Sequence, residues 1–145
     1  MQARIKWVEE RTFVGQSGSG HALVLDAPVA NGGRELGPSP MELVLIGTGG
    51  CTAFDVVEIL RKGRHAVTDC QVELEAERAA GPPRVFTAIT MRFVVTGHRL
   101  PRAAVERAVR LSAEKYCSAS IMLAKSVTMV REIEIREAET GTAPI

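Results

Sequence analysis

SPMELVLIGTGGCTAFDVVEILRK, running from Ser39 to Lys62, is the stretch that decides the fold. Its opening, Ser39-Pro40-Met41-Glu42, places a capping serine before a proline at the first helical position, with a glutamate three residues after the serine. That is the capping-box arrangement, in which serine and glutamate satisfy each other's free backbone N–H groups. The spacing predicts a helix from about Pro40 to Lys62 that ends near Gly63. Leu43, Leu45, Ile46, Phe54, Val56, Val57, Ile59 and Leu60 cover most of its circumference. Such a helix is expected at the centre of the fold, with a second subunit covering what one sheet leaves bare. Gly47, Gly49 and Gly50 interrupt it. Each costs about 1 kcal/mol relative to alanine, so a backbone or ligand approaching closely at this turn is the expected compensation.

Outward from the helix, the pattern changes to strands. Ala3, Ile5 and Trp7 share one face, Phe13 and Val14 follow, and His21 to Asp26 is extended. Ala27 to Gly37 reads as a glycine-rich loop. Asp69 to Glu77 alternates strictly, with Cys70, Val72, Leu74 and Ala76 facing inward, as in a half-buried antiparallel strand. Gly81-Pro82-Pro83 turns the chain into a long partner strand over Arg84 to Thr96. Leu100-Pro101 opens a second helix with a stripe of Val105, Ala108, Val109, Ser112 and Tyr116. A short helix over 118–124 and a closing strand from Val127 to Ile135 complete the order, and Glu139 to Ile145 is expected to fray. Segregated strands and helices of this kind predict an α+β fold rather than a parallel βαβ array.

The chain has 145 residues, enough for one domain, with 46% hydrophobic residues, 24% charged and a formal charge of +1. That balance gives no electrostatic drive toward nucleic acid or anionic membrane. No run of about 18 apolar residues stands out as a membrane span. The N-terminus alternates like a strand and lacks the apolar core of a signal peptide, so a cytoplasmic location is expected. Aromatic residues make up only 4%, too few for a base-stacking surface. The three cysteines lack a CxxC pair and the three histidines are scattered, so neither a metal site nor a bound cofactor is expected.

Cys51 and Cys117 carry the possible chemistry. Cys51 closes the small-residue run, and Cys117 stands, two residues after Lys115, where the short helix is expected to begin at Ser118. If the fold joins them, they form a thiol pair able to cycle through a disulfide. If it separates them, both are small buried apolar residues. Cys70, on the inward face of a regular strand, reads as core. Glu42 is a candidate carboxylate for the thiol site, although its capping role explains it better. Asp55, one turn after Cys51, could orient a cation or meet solvent, and Arg34 is a candidate cation from the loop.

The segments Gly37-Pro38-Ser39-Pro40-Met41-Glu42-Leu43, Gly49-Gly50-Cys51-Thr52, Asp55-Val56-Val57 and Ala113-Glu114-Lys115-Tyr116-Cys117-Ser118 together resemble the OsmC/Ohr family, most closely its YhfA-like branch. The resemblance implies a single domain over 1–137, a tail over 138–145, and antiparallel sheets wrapped around a long central helix in an intertwined homodimer. In the family's peroxidases the first cysteine attacks an organic hydroperoxide and the second resolves the sulfenic acid. By that resemblance Cys51 is peroxidatic, Cys117 resolving and Glu42 the accompanying carboxylate. An external thiol or a dithiol such as dihydrolipoamide would act as reductant. The chain departs from the pattern in placing Met41 where those peroxidases carry glutamate, with Glu42 one step later, rotated by about 100 degrees on a helix. The arginine of those enzymes has only Arg11 and Arg34 as loose counterparts. The alternative implied by these departures is a small-molecule-binding protein whose cysteines line a pocket at the dimer interface.

Overall fold

Alternating apolar residues near the N-terminus zip into an antiparallel meander. The computed structural model describes Met1–Ile145, and its chain forms two compact units, Met1–Ile46 and Gly47–Ile145. In the first, β1 (Ala3–Glu9), β2 (Thr12–Ser17) and β3 (Ala22–Leu25) pair in sequence order, with Trp7 opposite Phe13 and Phe13 opposite Leu25. The Asp26 side chain ties together much of the loop that follows. Asp26 accepts the N–H of Ala27 at 2.8 Å and those of Arg34 and Leu36 at 3.2 Å each. Gly33 is required there, because a Cβ would lie 1.8 Å from the Ala27 carbonyl oxygen.

Burial alone would raise the Asp26 pKa, but the Ala27, Leu36 and Arg34 amides and the Arg34 charge together hold it below the usual carboxylate value of 3.8. The anchoring is therefore complete above that value and is lost as pH falls through the lowered folded-state pKa. In Asp26→Ala, the amides of Arg34 and Leu36 should be unprotected from exchange at neutral pH; in the parent chain their protection, relative to the intrinsic exchange rate at each pH, should fall only in strong acid. Equal protection of those amides in both chains at neutral pH would contradict the anchor.

Helix α1 (Pro40–Lys62) has the boundaries its sequence predicts. The Ser39 N–H donates to Glu42 Oε2 at 2.7 Å, and the Glu42 N–H donates to Ser39 Oγ at 3.4 Å. At the other end the His65 N–H reaches the Leu60 carbonyl and the Arg64 N–H that of Arg61, a Schellman closure. Arg64, with φ of 58°, takes the left-handed position expected to fall to a glycine. Gly63 instead leaves room for the His65 ring, which a Cβ would meet at 2.8 Å.

In length and composition α1 would also suit a membrane span, which the sequence reading did not anticipate. One face of it is buried in the fold. Thr48, Thr52, Val56 and Leu60, spaced one turn apart, are buried, and the helix carries Asp55 and Glu58. Of its three inner glycines only Gly49 has a close neighbour, the Leu74 side chain; Gly47 and Gly50 face open space.

The second unit is built on β4 (Ala66–Arg78) and β5 (Phe86–His98), antiparallel over nearly their whole length. Strand β4 runs longer than its alternation marks out, and β5 lies two residues later than the stretch read from Arg84 to Thr96. Strand β6 (Thr128–Glu137) joins β5 in parallel, so this sheet is mixed and β5 is central. A parallel partner needs a long crossover. That crossover is α2 (Arg102–Leu111), a π turn (Ser112–Tyr116) and α3 (Ser118–Leu123). On the central strand β5, Ile89, Met91, Phe93 and Val95 share one face and are all fully buried. Val105, Ala108 and Val109 add the buried stripe of α2. The tail expected to fray is tied down: the Ile145 N–H donates to the Val67 carbonyl at 2.8 Å, and His98 Nε2 bonds the Thr142 carbonyl at 2.7 Å.

Candidate functional site

The π turn is what brings the cysteines together. In an uninterrupted helix Tyr116 would continue the stripe of Val105, Val109 and Ser112. The Cys117 N–H instead bonds the Ser112 carbonyl at 2.8 Å, five residues back. The extra residue in this turn rotates Tyr116 out, leaving it half exposed, and carries Cys117 to the inside, fully buried. There Cys117 caps α3, its sulfur accepting the Ser120 N–H at 3.4 Å.

A buried hydroxyl chain locks the π turn against α1. Thr52 Oγ1 and Ser112 Oγ are 2.9 Å apart, and Ser112 Oγ donates to Asp55 Oδ2 at 2.9 Å. Since Ser112 gives its only proton to the carboxylate, Thr52 must donate to Ser112. With α1 and the π turn clamped this way, Cys51 and Cys117 come within 3.1 Å. The two sulfurs and an Asp55 oxygen all lie within 4.8 Å of one another. Asp55 thus belongs to the site, facing both thiols. Thr52 and Ser112 are the residues sequence reasoning missed. Thr52 adjoins Cys51 and Ser112 lies on the α2 stripe, but nothing in their spacing linked one to the other.

The local field does not favour a resting thiolate. Burial raises the Cys51 pKa above its ordinary 9.0, and the neighbouring Cys117 thiol and the Asp55 charge add to the rise. The Ala119 N–H opposes them in part. Lys115, two residues before Cys117, lies over the Tyr116 ring at 5.4 Å. Arg34 is committed within the first unit, paired with Glu9 and 3.4 Å from Thr12 Oγ1. Glu42 is engaged with Ser39 in the cap. Cys70, on β4, is pushed up to about 11, by burial first and then by Asp69.

These fields set an order of reactivity. Iodoacetamide should label Cys51 slowly at pH 7.5 and faster as pH rises past 9, with Cys70 lagging and buried Cys117 last. Peptide mass spectrometry of timed samples reads that order; labelling of Cys117 before Cys51 would contradict it.

A cavity of about 500 Å³ opens beside the cluster and shares Asp55 with it. Phe54, Ile59, Leu111 and Tyr116 give it an apolar wall, and the acidic Asp55 and Glu58 stand beside the basic Lys62 and Arg107, with Lys62 Nζ 3.6 Å from Glu58 Oε2. A small organic molecule with both apolar and polar parts would suit these walls.

Residues 32–131 match the family model described as OsmC-like protein. The chain is 54% identical over 135 residues to Protein YhfA of Escherichia coli K12, covering 93% of this chain and 98% of that one. A solved structure of a hypothetical protein from Aquifex aeolicus VF5 superposes with a TM-score of 0.84 at 29% identity, over 95% of this chain and 97% of the other. An organic hydroperoxide resistance protein OsmC from Legionella pneumophila shares the fold, with a TM-score of 0.71 at 20% identity over 92% and 95% of the two chains. On the family match and the identity to YhfA, this chain belongs to the OsmC-like protein family.

Proposed function

We propose that the protein is a thiol-dependent peroxidase that reduces organic hydroperoxides, with Cys51 as the attacking and Cys117 as the resolving thiol. The approach of the two cysteines to 3.1 Å supports this most directly. In the first step the Cys51 thiolate attacks the terminal peroxide oxygen, the O–O bond breaks, and the alkoxide takes a proton to leave as alcohol. Cys51 becomes a sulfenic acid. Cys117 sulfur then displaces the hydroxyl, which leaves as water, and a disulfide forms. An external dithiol is oxidised in turn and restores both thiols. The apolar wall beside Asp55 suits the organic part of such a substrate. Glu42 contributes by fixing the start of the helix that carries Cys51.

The working form would be a cytoplasmic homodimer in which residues 1–137 act as one OsmC-like domain. Ile46, Phe54 and Trp7 leave large apolar surfaces exposed on the single chain, and Gly47 and Gly50 would let another helix approach closely. Sedimentation at twice the chain mass is the expected result.

The raised Cys51 pKa favours a second reading, a binding protein with the cysteines as wall residues. The two are separated by counting free thiols after mixing reduced protein with cumene hydroperoxide, beside native mass spectrometry for a co-purified ligand. Rapid loss of two thiols per chain, dependent on Cys51, supports the peroxidase. Equal thiol loss in the parent chain and Cys51→Ser would end it.

A further inference from the structure

We propose that Cys51, Asp55 and Cys117 form a binding site for one zinc ion per chain. The site shares its sulfurs with the redox reading but does not depend on it. Two sulfurs and a carboxylate oxygen within 4.8 Å of one another already approximate three corners of a coordination tetrahedron. With Zn–S near 2.3 Å and Zn–O near 2.1 Å, tetrahedral donors sit roughly 3.5–3.8 Å apart. The cysteines, at 3.1 Å, need to open by only a fraction of an ångström. Cys51 and Asp55 lie one turn apart on α1 and present two donors from one rigid face. Cys117 supplies the third from the junction of the π turn and α3.

Every donor already has a partner of the kind that orients metal ligands. Ser112 Oγ donates to Asp55 Oδ2, the Ser120 N–H to Cys117 sulfur, and the Ala119 N–H to Cys51. These bonds restrict the three side chains before any ion arrives. The fourth position would be water, for which the cavity meeting the cluster at Asp55 provides room. Two sulfurs select zinc over magnesium or calcium, which require oxygen ligands. Zinc and a Cys51–Cys117 disulfide exclude each other, because both use the same sulfur lone pairs. Metal loading would therefore shield the thiols from oxidation, and oxidation would release the metal.

The test uses the full chain, reduced and freed of metal, titrated with zinc against a chromophoric chelator and separately with cobalt(II). One ion per chain is expected, with thiolate-to-cobalt absorption and the intense visible bands of tetrahedral cobalt. Cys51→Ser and Cys117→Ser should each weaken zinc by about 100-fold or more, Asp55→Asn by roughly 10-fold or more, and Cys70→Ser should change nothing. Far-ultraviolet circular dichroism confirms that each variant is folded, and Cys117→Ser keeps an oxygen to cap α3. Failure of the reduced parent chain to hold zinc against the chelator would overturn the site. So would cobalt spectra without thiolate bands, or full affinity in Asp55→Asn. Peroxide reduction is measured on the same metal-free protein, so zinc binding and the peroxidase reading fail independently.

Discussion

Cys117→Ser should consume one equivalent of organic hydroperoxide per chain and then stop. The variant keeps Cys51, so the first oxygen transfer remains possible, but the sulfenic acid has no neighbouring sulfur with which to condense. Steady turnover with a dithiol should fall on the order of 10³-fold, while a stable sulfenic acid at Cys51 becomes trappable by dimedone. Cys51→Ser should lose both the first equivalent and the turnover. The comparison is clean because serine retains the cap on α3: its oxygen can accept the Ser120 N–H that the Cys117 sulfur accepts. A Cys117→Ser protein that turns over at the parent rate would remove Cys117 from the chemistry. The pH dependence follows from the direction of the Cys51 shift. Since burial, Cys117 and Asp55 keep its pKa above 9.0, the rate of the first step should still be rising at pH 9. A rate already level at pH 7 would mean that a cation stabilises the thiolate in the assembled protein.

Phe93→Ala carries the largest expected cost to stability. Phe93 is fully buried on β5, opposite Val72 of β4 and Ile133 of β6. Deleting its ring removes apolar burial on the central strand and leaves a cavity flanked by rigid pairing on both sides. Losses of this type run to about 3–5 kcal/mol, a large share of the roughly 5–15 kcal/mol that stabilises an ordinary domain. Urea unfolding at fixed protein concentration should show a strongly lowered midpoint with little change in slope. Phe93→Leu, which keeps most of the volume, should cost much less. A loss below about 1 kcal/mol for the alanine variant would mean that the strand collapses around the gap. Buried Cys117 should also become alkylatable in Phe93→Ala, since local opening of the second unit exposes it.

Much of the architecture was legible because its causes are local. The Ser39–Glu42 cap depends on groups three residues apart, so α1 could be placed from Pro40 to Lys62 directly. Strict alternation in β4 records a strand with one face inward, and it located the β4–β5 hairpin though not its full length. The parallel attachment of β6 was not legible, because strand direction depends on where the crossover re-enters the sheet. The helix end near Gly63 was legible, but the left-handed residue was not: the His65 ring packs where a Gly63 Cβ would stand, and Arg64 takes the left-handed conformation.

The thiol pair divides in the same way. Short-range pattern was sufficient to single out Cys51 within a glycine-broken helix and Cys117 at the start of another, since both signals lie within a few residues. Their meeting required the folded chain. It depends on the Thr52–Ser112–Asp55 hydrogen bonds, made between positions 57 to 60 residues apart, and on a π turn that swaps Tyr116 for Cys117 at the interior. Neither has a signature in residue spacing, because the energy that selects each comes from partners brought near only when the second unit closes.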